Sequence, residues 1–222
     1  MKILIRPRRP AETTHNLVVL RPSTVTVTSR PQRVLDFDVE ARPLSWIAAD
    51  YVSKEITAIA WAWTDQPEDV TCYLLGETDP RDFLAAFRRA YDQADCVTGH
   101  YLRAYDMRMV NGCLMEYQLP TLGDKLVSDT KIDLPAQAGL SMSQESLGAM
   151  LRLSHQKEKM NQAEWRAANR LTPDGLAATR RRVIGDVRQH MELRRELIAL
   201  GYLGPAKLWK AHRPMTAEPY TP

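Results

Sequence analysis

Two hydrophobic periods, in a fixed order, limit what this 222-residue chain can fold into. Apolar, β-favouring segments come first: RVLDFDVEA (33–41), ITAIAWAW (56–63) and VTCYLL (70–75), with QPED (66–69) supplying the turn between the last two. Helical spacing follows. Asp79-Pro80 reads as an N-cap and a first-turn proline, and Phe83, Leu84, Phe87, Ala90 and Tyr91 then share one face. CVTGH (96–100) predicts a short strand running into a turn, residues 104–117 a helix, and KLVSDT (125–130) a strand or loop edge. Ser141 with Gln144 is a capping-box pattern that opens a helix to about Leu153. Thr172-Pro173-Asp174 opens the longest helix, which runs to about Leu200 before Gly201 stops it. Strands first, then strands and helices in turn, predict an α/β or α+β domain with helices around a sheet.

The ends read differently. Residues 1–32, punctuated by Pro7, Pro10, Pro22 and Pro31, predict a basic, extended arm with short edge strands near Leu17–Leu20 and Thr24–Thr28. Residues 201–222, rich in proline and charge, predict a loosely packed tail. The expected organisation is therefore an arm (1–32), one domain (33–200) and a tail (201–222).

Charge follows the same division. The whole chain is only +3, but residues 1–33 carry +6, residues 34–149 carry −10 and residues 150–222 carry +7. Basic ends suit a polyanion, and an acidic centre suits cations or plain solvation. No apolar run approaches the roughly 18 residues of a membrane span. The patch at Ile3–Ile5 is too short for a secretory leader, so the expectation is a protein without a membrane partner. Cys72, Cys96 and Cys113 form no CxxC pair, which argues against a disulfide framework or zinc knuckle and fits a reducing cytoplasm.

The chemistry lies in misplaced carboxylates. Asp38 and Glu40 sit in a strand-like apolar segment, and residues i and i+2 of a strand share a face. Two neighbouring anions raise each other's pKa unless a cation lies between them, and a hard divalent ion is the natural one. The spacing also allows an Asp36/Asp38 pair; Asp38/Glu40 is preferred because it lies nearer the strand's C-terminal end, where open α/β sheets bind ligands. Asp106 falls early in a helix after a glycine turn. Asp186 lies beside Val183, Val187 and Met191 on the long helix, at or next to its buried face. A buried carboxylate needs a partner, either a metal or an arginine of its own helix.

These segments resemble the motifs of the DnaQ-like (DEDD) 3′–5′ exonucleases of the RNase H-like fold, with a bacteriophage flavour. VLDFDVEARP matches the first motif, GHYLRAYDMRMVNGCL the second with Tyr101 where Asn is common, and IGDV the third; the SDT at 128–130 resembles a segment between them. The resemblance spans roughly residues 33–200. It implies an RNase H-like mixed sheet, and two divalent ions (Mg²⁺ or Mn²⁺, about 3.5–4 Å apart) held by Asp38, Glu40, Asp106 and Asp186. It further implies release of 5′-nucleotides from the 3′ end of single-stranded DNA or RNA, with a replication polymerase as a possible partner. The basic ends would then track the strand.

The family's general base is a Tyr four residues, or a His five residues, before the last Asp. Here those positions are Arg182 and Arg181, and arginine cannot act as a base. Three alternatives stand. A metal-bound hydroxide needs no side-chain base and Arg182 holds the phosphate; or His190, one turn after Asp186, serves; or the chain is a weak or inactive nucleic-acid-binding module. Arg181, Arg182, His190 and Tyr101 are thus the candidate substrate-contacting residues. Structure-specific or endonucleolytic cleavage is a further possibility on the same fold.

Overall fold

The computed structural model describes residues 32–44, 52–135 and 139–211. The arm and its expected strands, like Trp46 and the last residues of the tail, lie outside them. Strand β1 (Val34–Pro43) is central. It pairs antiparallel with β2 (Lys54–Trp63), and β2 pairs antiparallel with β3 (Thr71–Leu74). Helix α1 (Pro80–Gln93), capped by Asp79, returns the chain to β4 (Cys96–Gly99), which lies parallel to β1 on its other side. Helix α2 (Asp106–Glu116) leads to β5 (Lys125–Asp129), parallel to β4. Three helices follow, α3 (Gln144–Met150), α4 (Gln162–Asn169) and α5 (Pro173–Ala199), and then β6 (Lys207–Trp209), antiparallel to β5. The sheet order is β3-β2-β1-β4-β5-β6, a mixed α/β sheet flanked by helices and consistent with the RNase H-like fold.

The odd alternation of β1 has a simple cause: the strand is covered on both faces. Leu35, Phe37 and Val39 point into one core with Phe83 and Phe87 of α1 and Met107 and Val110 of α2. On β2, Ala58, Ala60 and Ala62 form the other face and pack against Val183, Val187 and Met191 of α5. Three alanines in a row are poor strand formers, yet here they let a 27-residue helix lie close to the sheet. Their cross-strand partners on β1 are Glu40, Asp38 and Asp36. The acids therefore stand on the face that α5 covers.

Three local expectations change. The helix near residue 144 is capped by Ser143, whose hydroxyl accepts from the Ser146 amide, rather than by Ser141, and it ends at Met150. Helix α4 was not anticipated, although Asn161 and Glu164 make a full capping box. Residues 207–209 of the expected tail add an edge strand to the sheet.

Candidate metal centre

Helix α5 runs antiparallel to β1, and the two elements advance at nearly the same pace. Four residues of helix rise about 6 Å and two residues of strand about 6.6 Å. The side chains therefore meet as the rungs of a ladder. Arg182 Nε lies 2.5 Å from Glu40 Oε1, and His190 Nδ1 lies 2.5 Å from Asp36 Oδ2. Between these two rungs of opposite partners stand Asp38 and Asp186, two acids facing each other. Ligand oxygens of Asp38, Glu40 and Asp186 all lie within 4.8 Å of one another.

Asp106 is not one of these three, but it lines the same cleft. It sits at the N-terminus of α2, where the helix dipole favours an anion, and its Oδ1 accepts from the Val39 amide at 3.3 Å. Burial, partly offset by that hydrogen bond, pushes its carboxyl up to about 7. Burial and then the neighbouring Asp106, Asp186 and Glu40 hold Asp38 well above the ordinary carboxylate range. Glu40 is raised by burial, with Arg182 pulling against it. Asp186 is 2% exposed, and both its carboxylate oxygens lack a well-aligned hydrogen bond. Its nearest charge is the Lys157 ammonium, 2.7 Å from Oδ2; the Arg182 guanidinium is 3.9 Å away. Such acceptor-only, crowded oxygens are the donor set a hard divalent cation takes.

The acids open on a cleft of about 160 Å³ lined also by His100, Tyr101, Tyr105, Lys157 and Arg182. It lies just past the C-terminal end of β4 and past the stretch of β1, Val34–Asp36, that runs parallel to β4, which is the ligand-binding side of open α/β sheets. The turn after β4 is tight: a Cβ on Gly99 would meet Leu102 Cδ1 at 2.7 Å and the Phe37 carbonyl at 3.0 Å. Asp129 holds the chain beyond it by accepting from the amides of Tyr101 and Arg103. Tyr101 is kept at φ 69°, a left-handed conformation; the residue is 45% exposed and lines the cleft, with the Lys131 ammonium 5.1 Å from its ring centre.

The other expected contacts divide. Arg182 lines the cleft, but its Nη1 also donates to the Glu158 carbonyl at 2.9 Å and its guanidinium lies over the Trp165 ring at 4.9 Å. Arg181 points away to Glu158 and does not line the cleft. His190 is a correction: it is 2% exposed and closed off between Asp36 and Thr130, whose Oγ1 lies 2.9 Å from its Nε2. It faces no cleft. Lys157 lies in the segment between α3 and α4, and no local sequence pattern ties it to Asp186, 29 positions on.

His100 gives a pH expectation. Burial, helped by the positive charges of His190, Lys131 and Lys157, lowers its pKa to about 3; a weaker contact with the Met142 carbonyl opposes this. A histidine lowered on folding binds fewer protons in the folded than in the unfolded chain between about pH 3 and 6.5. Stability is thus lost as pH falls through that window. Raised carboxyls such as Asp106 act in the opposite direction over the same range, so the share of His100 is read as a difference between two proteins. In urea unfolding at pH 5 and pH 7, the change in stability with rising pH should be less positive in His100→Gln than in wild type, by up to about 1.4 kcal/mol per pH unit. Equal slopes would mean that His100 titrates normally.

No family model and no curated protein matches this sequence. Solved structures do. Among them is the family B DNA polymerase of the hyperthermophilic archaeon Pyrobaculum calidifontis, with a TM-score of 0.57 and 16% identity, covering 76% of this chain. The match takes up 25% of the polymerase chain, so what is shared is a domain-sized fold. Among the described residues, no helix is long and apolar enough to cross a membrane.

Proposed function

We propose that this chain is a metal-dependent 3′–5′ exonuclease that releases 5′-nucleotides from single-stranded nucleic acid, with DNA favoured. The observation that carries the reading is the middle rung of the ladder. Asp38 and Asp186 face each other under cover, with Glu40 within 4.8 Å and Asp106 close enough to raise Asp38. Acids crowded in this way are costly unless positive charge stands among them, and a divalent cation supplies more of it than Lys157 and Arg182 do. A fold shared with part of a DNA polymerase supports a nucleic-acid substrate.

Asp38, Glu40, Asp106 and Asp186 would hold the ions, Mg²⁺ or Mn²⁺. Bound there, such ions supply charge neutralisation at the phosphodiester and an activated water. The chain's own residues do the positioning. Arg182, anchored by Glu40 and the Glu158 carbonyl, keeps a fixed positive charge at the cleft for the phosphate. Tyr101 offers an exposed ring on which a terminal base can stack. With arginine at both family base positions and His190 enclosed, proton removal from the water falls to no histidine of α5.

A second reading, a catalytically weak binding module, is favoured by one observation: Lys157 and Arg182 already neutralise part of the cluster. A 5′-labelled single-stranded oligonucleotide, incubated with and without Mn²⁺ beside Asp186→Asn, decides between them. The expected result is a ladder shortening from the 3′ end for wild type with Mn²⁺ alone. Retarded mobility without hydrolysis supports the binding module, and equal ladders from both proteins remove the site assignment. An opened single-stranded circle would identify an endonuclease.

A further inference from the structure

We propose that Lys157 is a built-in counter-ion of the acidic centre that competes with a divalent cation for Asp186, and so sets how tightly the centre binds metal. The inference rests on reading the cluster as a cation site, but concerns a residue outside the set of acids that would hold the ions. Three observations support it. The Lys157 ammonium is 2.7 Å from Asp186 Oδ2, on a residue 2% exposed whose oxygens lack a well-aligned hydrogen bond. Lys157 lies in the segment between α3 and α4, outside any helix or strand, so its ammonium reaches the rung from the side on a flexible stem. Lys157 also lines the same cleft as Asp38, Glu40 and Asp106, so its ammonium stands among the acids and not on the outer surface.

Charge balance explains why the ammonium can be displaced. Asp38, Glu40, Asp106 and Asp186 bring four negative charges, and Lys157 and Arg182 return two. Arg182 is fixed by Glu40, the Glu158 carbonyl and the Trp165 ring. The Lys157 ammonium pairs with Asp186 and its side chain is 24% exposed, so water can solvate it when it leaves. A cation taking Asp186 Oδ2 must move the ammonium off that oxygen, and the work of doing so is subtracted from its affinity.

The test is Mn²⁺ binding, read by calorimetry and by the electron paramagnetic resonance of free Mn²⁺, on wild type, Lys157→Met, Lys157→Arg and Asp186→Asn. Lys157→Met should bind Mn²⁺ tighter than wild type by about tenfold or more. It should also melt lower in chelator and gain more from Mn²⁺, because ion and ammonium substitute for each other. If it folds only with Mn²⁺, circular dichroism reports the same exchange. Lys157→Arg, which keeps the charge, should stay near wild type. Affinity in Lys157→Met equal to wild type, or an equal gain in Lys157→Arg, overturns the counter-ion role while leaving the metal centre intact. No Mn²⁺ binding by either wild type or Lys157→Met, with Asp186→Asn no different, overturns both.

Discussion

Asp38→Asn should abolish nucleotide release and, in the same preparation, make the protein more stable in chelator. The two effects share one cause. Asp38 is the acid on which the other three converge: burial disfavours its charge most, and Asp106, Asp186 and Glu40 add to that. In a metal-dependent phosphodiesterase that carboxylate is worth several kcal/mol of transition-state stabilisation. At about 1.4 kcal/mol per factor of ten, its loss costs on the order of a thousandfold in rate. Without an ion the same charge is a liability, because it stands opposite Asp186 across the ladder. The isosteric amide removes one repulsion and keeps the shape. A gain of about 1 kcal/mol would raise Tm by about 2–4 °C in a chain of this size. Oligonucleotide hydrolysis and thermal melts in chelator and in Mn²⁺ check both halves, and Mn²⁺ should stabilise wild type more than the variant. A fall in Tm in chelator, or wild-type activity, would show that Asp38 is not part of a cation site.

The same ladder explains what could be read in the sequence and what could not. β1 was visible because its apolar density is high, and Asp38 and Glu40 stood out because strands rarely carry such residues. The i, i+2 rule placed them on one face, and the structure puts that face under α5. The rule also placed Asp36 there, yet Asp36 seemed only a rival for the pair. Its role depends on His190, 154 positions away, and no local pattern connects them. His190 was placed correctly on the Asp186 side of the helix. What the helix alone could not show is that one turn along α5 means two residues down β1, away from the strand's open end and into the core. Helix α4 was legible in Asn161 and Glu164 but lacks the apolar stripe that announces a core helix, since only Ala168 among its residues is buried. The three residues of β6 owe their strand to pairing with β5, which periodicity cannot reveal.

His190→Leu should be the most destabilising of the substitutions considered, without touching the acidic centre. Asp36 is wholly buried, and one of its oxygens already lacks a partner. Burial raises its carboxyl pKa, and the attraction of His190 is the largest force acting the other way. Take the imidazole away and a buried carboxyl loses its hydrogen bond, while the Thr130 hydroxyl loses its contact with Nε2. Breaking one side of a buried pair costs about 3–5 kcal/mol, a large share of a stability of about 5–15 kcal/mol. Replacing both partners with apolar groups leaves neither stranded, so Asp36→Leu with His190→Leu should recover much of the loss. Urea unfolding of the two single variants and the double variant gives the coupling directly, and it should exceed about 1 kcal/mol. Where His190→Leu remains folded, it should bind Mn²⁺ like wild type, because the rung it breaks lies one turn below Asp186. Lost Mn²⁺ affinity with unchanged stability would return His190 to the site; intact stability and no coupling would mean that the buried pair does not hold α5 to β1.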